Sequence, residues 1–148
     1  MKLSPSFTDT WVPRVLSILR IVSAYMFMLH GTQKLLGFPA GRSGTVDLMS
    51  LAGVAGMLEL VGGLLLLIGL FTRPVAFLLS GEMAFAYFIS HAPRGNPLLP
   101  VTNGGDLAVE WCFVFLFLAV VGGGPWALDA VLSRRREPVD RALTRATT

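Results

Sequence analysis

Four long apolar runs, at about residues 14–36, 50–70, 73–91 and 107–122, fill most of this chain, and nearly every one carries ionisable side chains. Each run is near the ~20 residues that a helix needs to cross a bilayer. Within the runs or at their edges sit Arg20, His30, Lys34, Glu59, Glu82, His91, Asp106 and Glu110. An ionised group at the bilayer centre costs roughly 2.5–3.5 kcal/mol even on the most lenient insertion scale. Such groups are expected to face one another or a wet cavity rather than lipid, so they also mark where any function lies.

Composition agrees with a small multi-span membrane protein. Apolar residues make up 53% of the 148 and charged residues 14%, whereas a soluble domain has about 25% charged residues. Arg134, Arg135, Arg136, Arg141 and Arg145 lie in the C-terminal tail beside only Glu137 and Asp140. Next to a spanning helix, such a tail reads as an anchor to anionic lipid and not as a nucleic-acid site. The single cysteine, Cys112, excludes an internal disulfide and a Cys-x-x-Cys redox pair. It falls inside an apolar run and is expected to pack there as a thiol. The polar, proline-containing start and the length of the first run argue for an uncleaved anchor rather than a signal peptide.

The expected architecture is all-α: an up-down-up-down four-helix transmembrane bundle with a short C-terminal interfacial helix. Residues 1–13 form a cytoplasmic lead-in, residues 14–122 the bundle, and residues 123–148 the interfacial helix and basic tail. Pro13 suits the start of the first helix and Trp11 the headgroup level. Gly37 and Pro39 stop that helix. The second helix is rich in small residues, and Ala52 and Gly56 have the four-residue spacing that lets backbones approach closely. Its glycines are also compatible with a homodimer. Around residues 69–74, Gly69 serves as a C-cap and Thr72 as an N-cap, so the second and third helices are antiparallel neighbours. Asn103 or Asp106 is placed to cap the fourth helix. The excess of basic residues on the terminal side puts both termini in the cytoplasm.

Estimated depths bring Arg20, Glu59 and Glu82 near one level, as one cation between two carboxylates. Sharing one cation would leave one carboxylate protonated, which suits a quinone or proton-coupled site. His30, Lys34, His91, Asp106 and Glu110 make an outer group. Arg20, His30 and Lys34 share one stripe of the first helix, while Gln33 falls outside it. Phe113, Phe115 and Phe117 read as lipid-facing or packing bulk. No metal-ligand spacing, haem attachment motif or phosphate loop is present in the sequence. Interhelical ion pairs can also be simple glue.

The chain resembles the DoxX family of small bacterial membrane proteins. The strings that carry the resemblance begin with Arg20, His30-Gly31-Thr32-Gln33-Lys34-Leu35-Leu36-Gly37 and Glu59 with Gly62-Gly63. They continue with Gly69-Leu70-Phe71-Thr72-Arg73-Pro74, Gly81-Glu82-Met83-Ala84 and His91-Ala92-Pro93. Asn103-Gly104-Gly105-Asp106-Leu107-Ala108 and Gly124-Pro125-Trp126-Ala127-Leu128-Asp129 complete the series. Asp106 stands where the family commonly has Glu, which keeps the charge and shortens its reach. The resemblance implies a four-helix bundle in the bacterial inner membrane with both termini inside. It further implies kinship with the membrane subunit of thiosulfate:quinone oxidoreductase and with redox complexes handling thiol or oxidative stress.

The resulting expectation is a quinone, or a similar small molecule, bound inside the bundle in support of a membrane oxidoreductase. His30, Glu59 and Glu82 would exchange protons, and Arg20, Lys34, His91, Asn103, Asp106 and Glu110 would bind or gate the ligand. Electrons would come from a bound cofactor or a redox partner protein. The alternatives are a structural or assembly subunit and a small proton-coupled permease.

Overall fold

The computed structural model describes residues 6–40 and 45–134, and all regular structure among them is helical. The principal elements are α1 (Phe7–Leu36), α2 (Leu51–Ile68), α3 (Thr72–Ala86), a four-residue α4 (Pro100–Asn103) and α5 (Asp106–Val121). α3 runs on through a π-turn at Tyr87–His91 and a 3-10 turn at Ala92–Arg94. Three helical stretches are long and apolar enough to cross a membrane: Phe7–Leu36, Leu51–Ile68 and Thr72–Arg94. The run expected as a fourth crossing is occupied by α5, whose 16 residues reach ~24 Å. It runs antiparallel to α3, with the Ser80 hydroxyl donating to the Cys112 carbonyl at 2.8 Å.

α1 begins at Phe7, not after Pro13. The start is set by a capping box: the Ser6 hydroxyl accepts from the Asp9 amide, and the Asp9 carboxylate accepts from the Ser6 amide. Pro13 sits inside the helix, where its ring removes one ladder bond. At 30 residues the helix is ~45 Å long and overshoots a ~30 Å hydrocarbon layer. Residues 1–5 of the expected lead-in lie outside the described residues.

Close backbone approach fixes how α1 meets α2. A Cβ on Gly31 would stand 2.5 Å from the Leu60 amide nitrogen and 2.8 Å from the Gly56 carbonyl oxygen. One on Gly63 would stand 2.9 Å from the Met28 side chain and 3.0 Å from its backbone. Lipid is as apolar as leucine, so helices in a membrane associate through this close packing rather than through a hydrophobic drive. Gly62 turns the other way and admits Leu79 of α3. Gly56 thus does what its spacing implied, whereas Ala52 is exposed. Gly56, Gly62 and Gly63 are buried against neighbouring helices, and Gly53 is covered by Asp47 and Leu48 of the preceding loop.

The bundle is therefore two tight helix pairs, α1 with α2 and α3 with α5. Between the pairs, Phe27 of α1 meets Phe115 edge-on at 4.8 Å between ring centres and Trp111 at 5.2 Å. Phe115 is buried, while Phe113 and Phe117 are exposed.

At one end, the segment after α5 folds back over the other helices. The Asp129 carboxylate accepts from the amides of Phe71 and Thr72 at 2.9 and 2.8 Å. The α3 N-terminus is thus capped from 57 residues away, and Thr72 is its first residue rather than its cap. Gly69 closes α2 in the left-handed region as its position implied. Residues 128–134 are helical, in keeping with the expected interfacial helix. Beyond Arg134, the basic tail lies outside the described residues.

Candidate functional site

The expected grouping of one cation with two carboxylates is present, but its cation is Lys34. Lys34 Nζ lies 2.5 Å from Glu59 Oε1, joining α1 to α2 with both side chains largely buried. Glu82, on α3, is within electrostatic reach of both Glu59 and Lys34. Its two carboxyl oxygens are enclosed and have no hydrogen-bond partner among the described residues. Glu59 and Lys34 thus belong to one helix pair and Glu82 to the other, and the cluster bridges the seam between them.

Helix register explains why Arg20 is elsewhere. With Gly31 opposite residues 56–60 and Met28 opposite Gly63, Arg20 falls opposite the end of α2. There its guanidinium donates to the Gly123 carbonyl at 2.9 Å, the Leu67 carbonyl at 2.6 Å, the Leu66 carbonyl and, at 3.4 Å, the Trp126 carbonyl. The last carbonyls of a helix have no partner within it, and Arg20 supplies one while tying α1 to α2 and to the returning segment. Seven residues separate Leu66 from Glu59, which puts Arg20 ~10 Å along the axis from the carboxylate cluster. Arg20 is 1% exposed, so it acts as the clasp of this end.

The remaining expected residues are dispersed. His30 is half-buried and meets Trp111 of α5 edge-on at 4.9 Å. His91 closes the π-turn of α3, and its enclosed Nδ1 has no hydrogen-bond partner among the described residues. Asn103 organises the loop instead of capping α5 directly: its Oδ1 accepts from the Gly105 amide, and its Nδ2 donates to the Tyr87 hydroxyl and the Asn96 carbonyl. The Tyr87 hydroxyl donates in turn to the Pro97 carbonyl at 2.6 Å. Asp106 and Glu110 are exposed on α5 and do not join Lys34 and Glu59. Cys112 is half-buried, with its sulfur 3.5 Å from the Ser80 hydroxyl.

Alongside Glu82 lies a groove of about 600 Å³ between α2 and α3. Its walls are apolar, with Val54 and Leu58 on one side and Phe77, Leu78 and Phe85 on the other. Glu82 is its one ionisable lining residue, and Gly81 opens it further because a Cβ there would meet nothing within 4 Å. The α3 wall repeats at Pro74, Leu78, Gly81 and Phe85, a spacing of four, three and four that defines one helix face. That periodicity was the signal for the groove in the sequence. Among the described residues, no cluster of three or more His, Cys, Asp or Glu side chains could hold a metal ion.

The DoxX family profile matches residues 15–92. The chain belongs to the DoxX family. It is 52% identical to an uncharacterized protein of Haemophilus influenzae over 126 residues, covering 82% of this chain and 92% of that relative. Inner membrane protein YqjF of Escherichia coli is 30% identical over 125 residues, covering 80% of this chain and 92% of its own length. Inner membrane protein YphA of the same organism is 30% identical over 134 residues, covering 79% and 89%. No solved structure matches. With its apolar helices, this DoxX protein is a multi-pass protein of the inner membrane. The DoxX strings now acquire physical roles. Those around Arg20, Gly69 and Asp129 build the clasp, and those around Lys34, Glu59 and Glu82 build the carboxylate cluster.

Proposed function

We propose that this DoxX protein binds a quinone or a similar apolar ring compound in the groove between α2 and α3 and supports a membrane oxidoreductase. The observation that carries the reading is Glu82, a carboxyl group with no hydrogen-bond partner among the described residues, on the wall of an otherwise apolar groove. Apolar pockets with a few convergent polar groups are the usual form of small-molecule sites. The groove holds the ring, and Glu82 bonds a carbonyl or hydroxyl oxygen on it. Glu59 and Lys34, behind Glu82, give a released or accepted proton a charged pair to settle against. Electrons enter or leave through a redox partner protein. Both termini are cytoplasmic, a reading supported by Arg14, Arg73 and Arg134 at the terminal end of the bundle.

The second reading is a structural subunit, favoured by the Lys34–Glu59 pair and by the hydrogen bonds of Arg20 to backbone carbonyls. Titration of a short-chain ubiquinone into the protein in nanodiscs separates the two. Saturable binding is expected in wild type, with about a tenfold or greater weakening in Glu82→Gln, the worth of one hydrogen bond to a charged group, and loss of binding in Gly81→Leu, which takes up the space of the groove. A Cβ at Gly81 meets nothing within 4 Å, so the leucine side chain starts from open space, and circular dichroism of each variant confirms its fold before binding is compared. Absence of saturable binding in the folded wild type would favour the structural reading.

A further inference from the structure

A second groove follows the opposite seam, between α1 and α5, and it lies at the end of the bundle where α1 begins. It holds about 420 Å³ and is walled by Trp11, Val15 and Leu19 of α1 and by Phe117 and Val121 of α5. Two cations lie beside its lining residues or their chain neighbours. The Arg14 guanidinium lies 5.4 Å over the Trp11 ring, and Arg73 packs against Gly122, where a Cβ would stand 3.6 Å from its Nε. Gly122 directly follows the wall residue Val121. Both arginines are exposed, and neither forms an ion pair among the described residues.

We infer that this groove is a binding site for an anionic phospholipid, with an acyl chain lying between α1 and α5 and the phosphate held by Arg14 and Arg73. Charge complementarity selects the occupant. An apolar slot open to the bilayer accepts any acyl chain, but two exposed guanidiniums with no ion pair among the described residues discriminate among headgroups, since arginine matches phosphate geometry with paired donors. Trp11 serves both parts, its ring lining the slot and carrying Arg14 on its face. This site is separate from the Glu82 groove, and it lies on the helices rather than on the basic tail.

The test is fluorescence quenching of the full-length protein in nanodiscs containing phosphatidylglycerol or phosphatidylcholine with brominated acyl chains. The signal is the part that depends on Trp11, obtained by comparison with Trp11→Phe. Brominated phosphatidylglycerol should quench it at lower mole fraction than brominated phosphatidylcholine. That preference should fall about fivefold with each of Arg14→Gln and Arg73→Gln, the contribution of one arginine near an anionic surface. Equal quenching by the two lipids overturns the proposal. So does a preference that survives in the double variant and disappears only when Arg135, Arg136, Arg141 and Arg145 are replaced by glutamine.

Discussion

Arg20→Met tests the clasp most directly. Methionine is apolar and of comparable length, so it leaves little cavity, and the change isolates the loss of the guanidinium. In wild type that group serves carbonyls on two separate segments, Leu66 and Leu67 of α2 and Gly123 and Trp126 of the returning segment. The Leu66 carbonyl keeps a second donor in the Gly69 amide at 3.0 Å, and the Trp126 bond is long. The decisive losses are therefore those at Leu67 and Gly123. A hydrogen bond to a charged group contributes about 1.5–3 kcal/mol, giving about 3–6 kcal/mol for the pair before desolvation is considered. Burying the guanidinium opposes this, and a net loss of about 3 kcal/mol is expected. That is roughly a 150-fold shift in the folding equilibrium. Arg20→Lys should recover only part of it, because an ammonium is a point charge that can reach one segment but not both. The assay is reversible unfolding in mixed micelles with increasing SDS, followed by far-ultraviolet circular dichroism. If Arg20→Met unfolded at the wild-type SDS fraction while losing quinone binding, the clasp would be refuted and Arg20 would return to the ligand site.

Two other perturbations follow from the packing. Gly31→Ala puts a methyl against backbone atoms of α2, so the helices must separate by ~1 Å; overpacking of this kind costs about 1–3 kcal/mol, and the same unfolding assay reads it. Gly81→Ala, with nothing within 4 Å of its Cβ, should be neutral or stabilising by up to ~1 kcal/mol from helix propensity. A loss at Gly81 as large as that at Gly31 would contradict the packing account. Asp129→Ala removes both cap bonds to α3, should cost about 0.5–2 kcal/mol, and should speed hydrogen exchange at the amides of Phe71 and Thr72 ahead of the rest of α3.

What could be read from the sequence was whatever depends on length, hydropathy and local backbone chemistry. The apolar runs located the helices, and Gly37 and Gly69 ended α1 and α2 where expected, because a left-handed residue there favours glycine. The start of α1 was readable too, in Ser6 and Asp9, but Pro13 read as the more obvious boundary. The partner of Glu59 was not readable. Arg20 and Lys34 lie on one face of α1, and the choice between them depends on how α1 slides along α2. That register is set by Gly31, Gly56 and Gly63, whose effect exists only once the two helices meet. The partners of Arg20 were hidden for a different reason: backbone carbonyls occur at every position, and no residue type announces which ones a fold leaves open. Asp106 and Glu110 were expected with Lys34 in an outer group, because charge avoids lipid. They instead occupy the first turns of a 16-residue helix, close enough to its end to stay outside the cluster.

The clasp also bears on how the protein is made. Residues 123–129 leave the ribosome after α1, α2 and α3 have been synthesised, so for that interval Arg20 lacks the Gly123 and Trp126 acceptors, and the start of α3 lacks Asp129. The growing chain must hold three helices in or beside the insertion machinery with an incompletely satisfied guanidinium, and only the arrival of Gly123 to Asp129 completes it. This end of the bundle is thereby completed only late in synthesis, after α5 has been made.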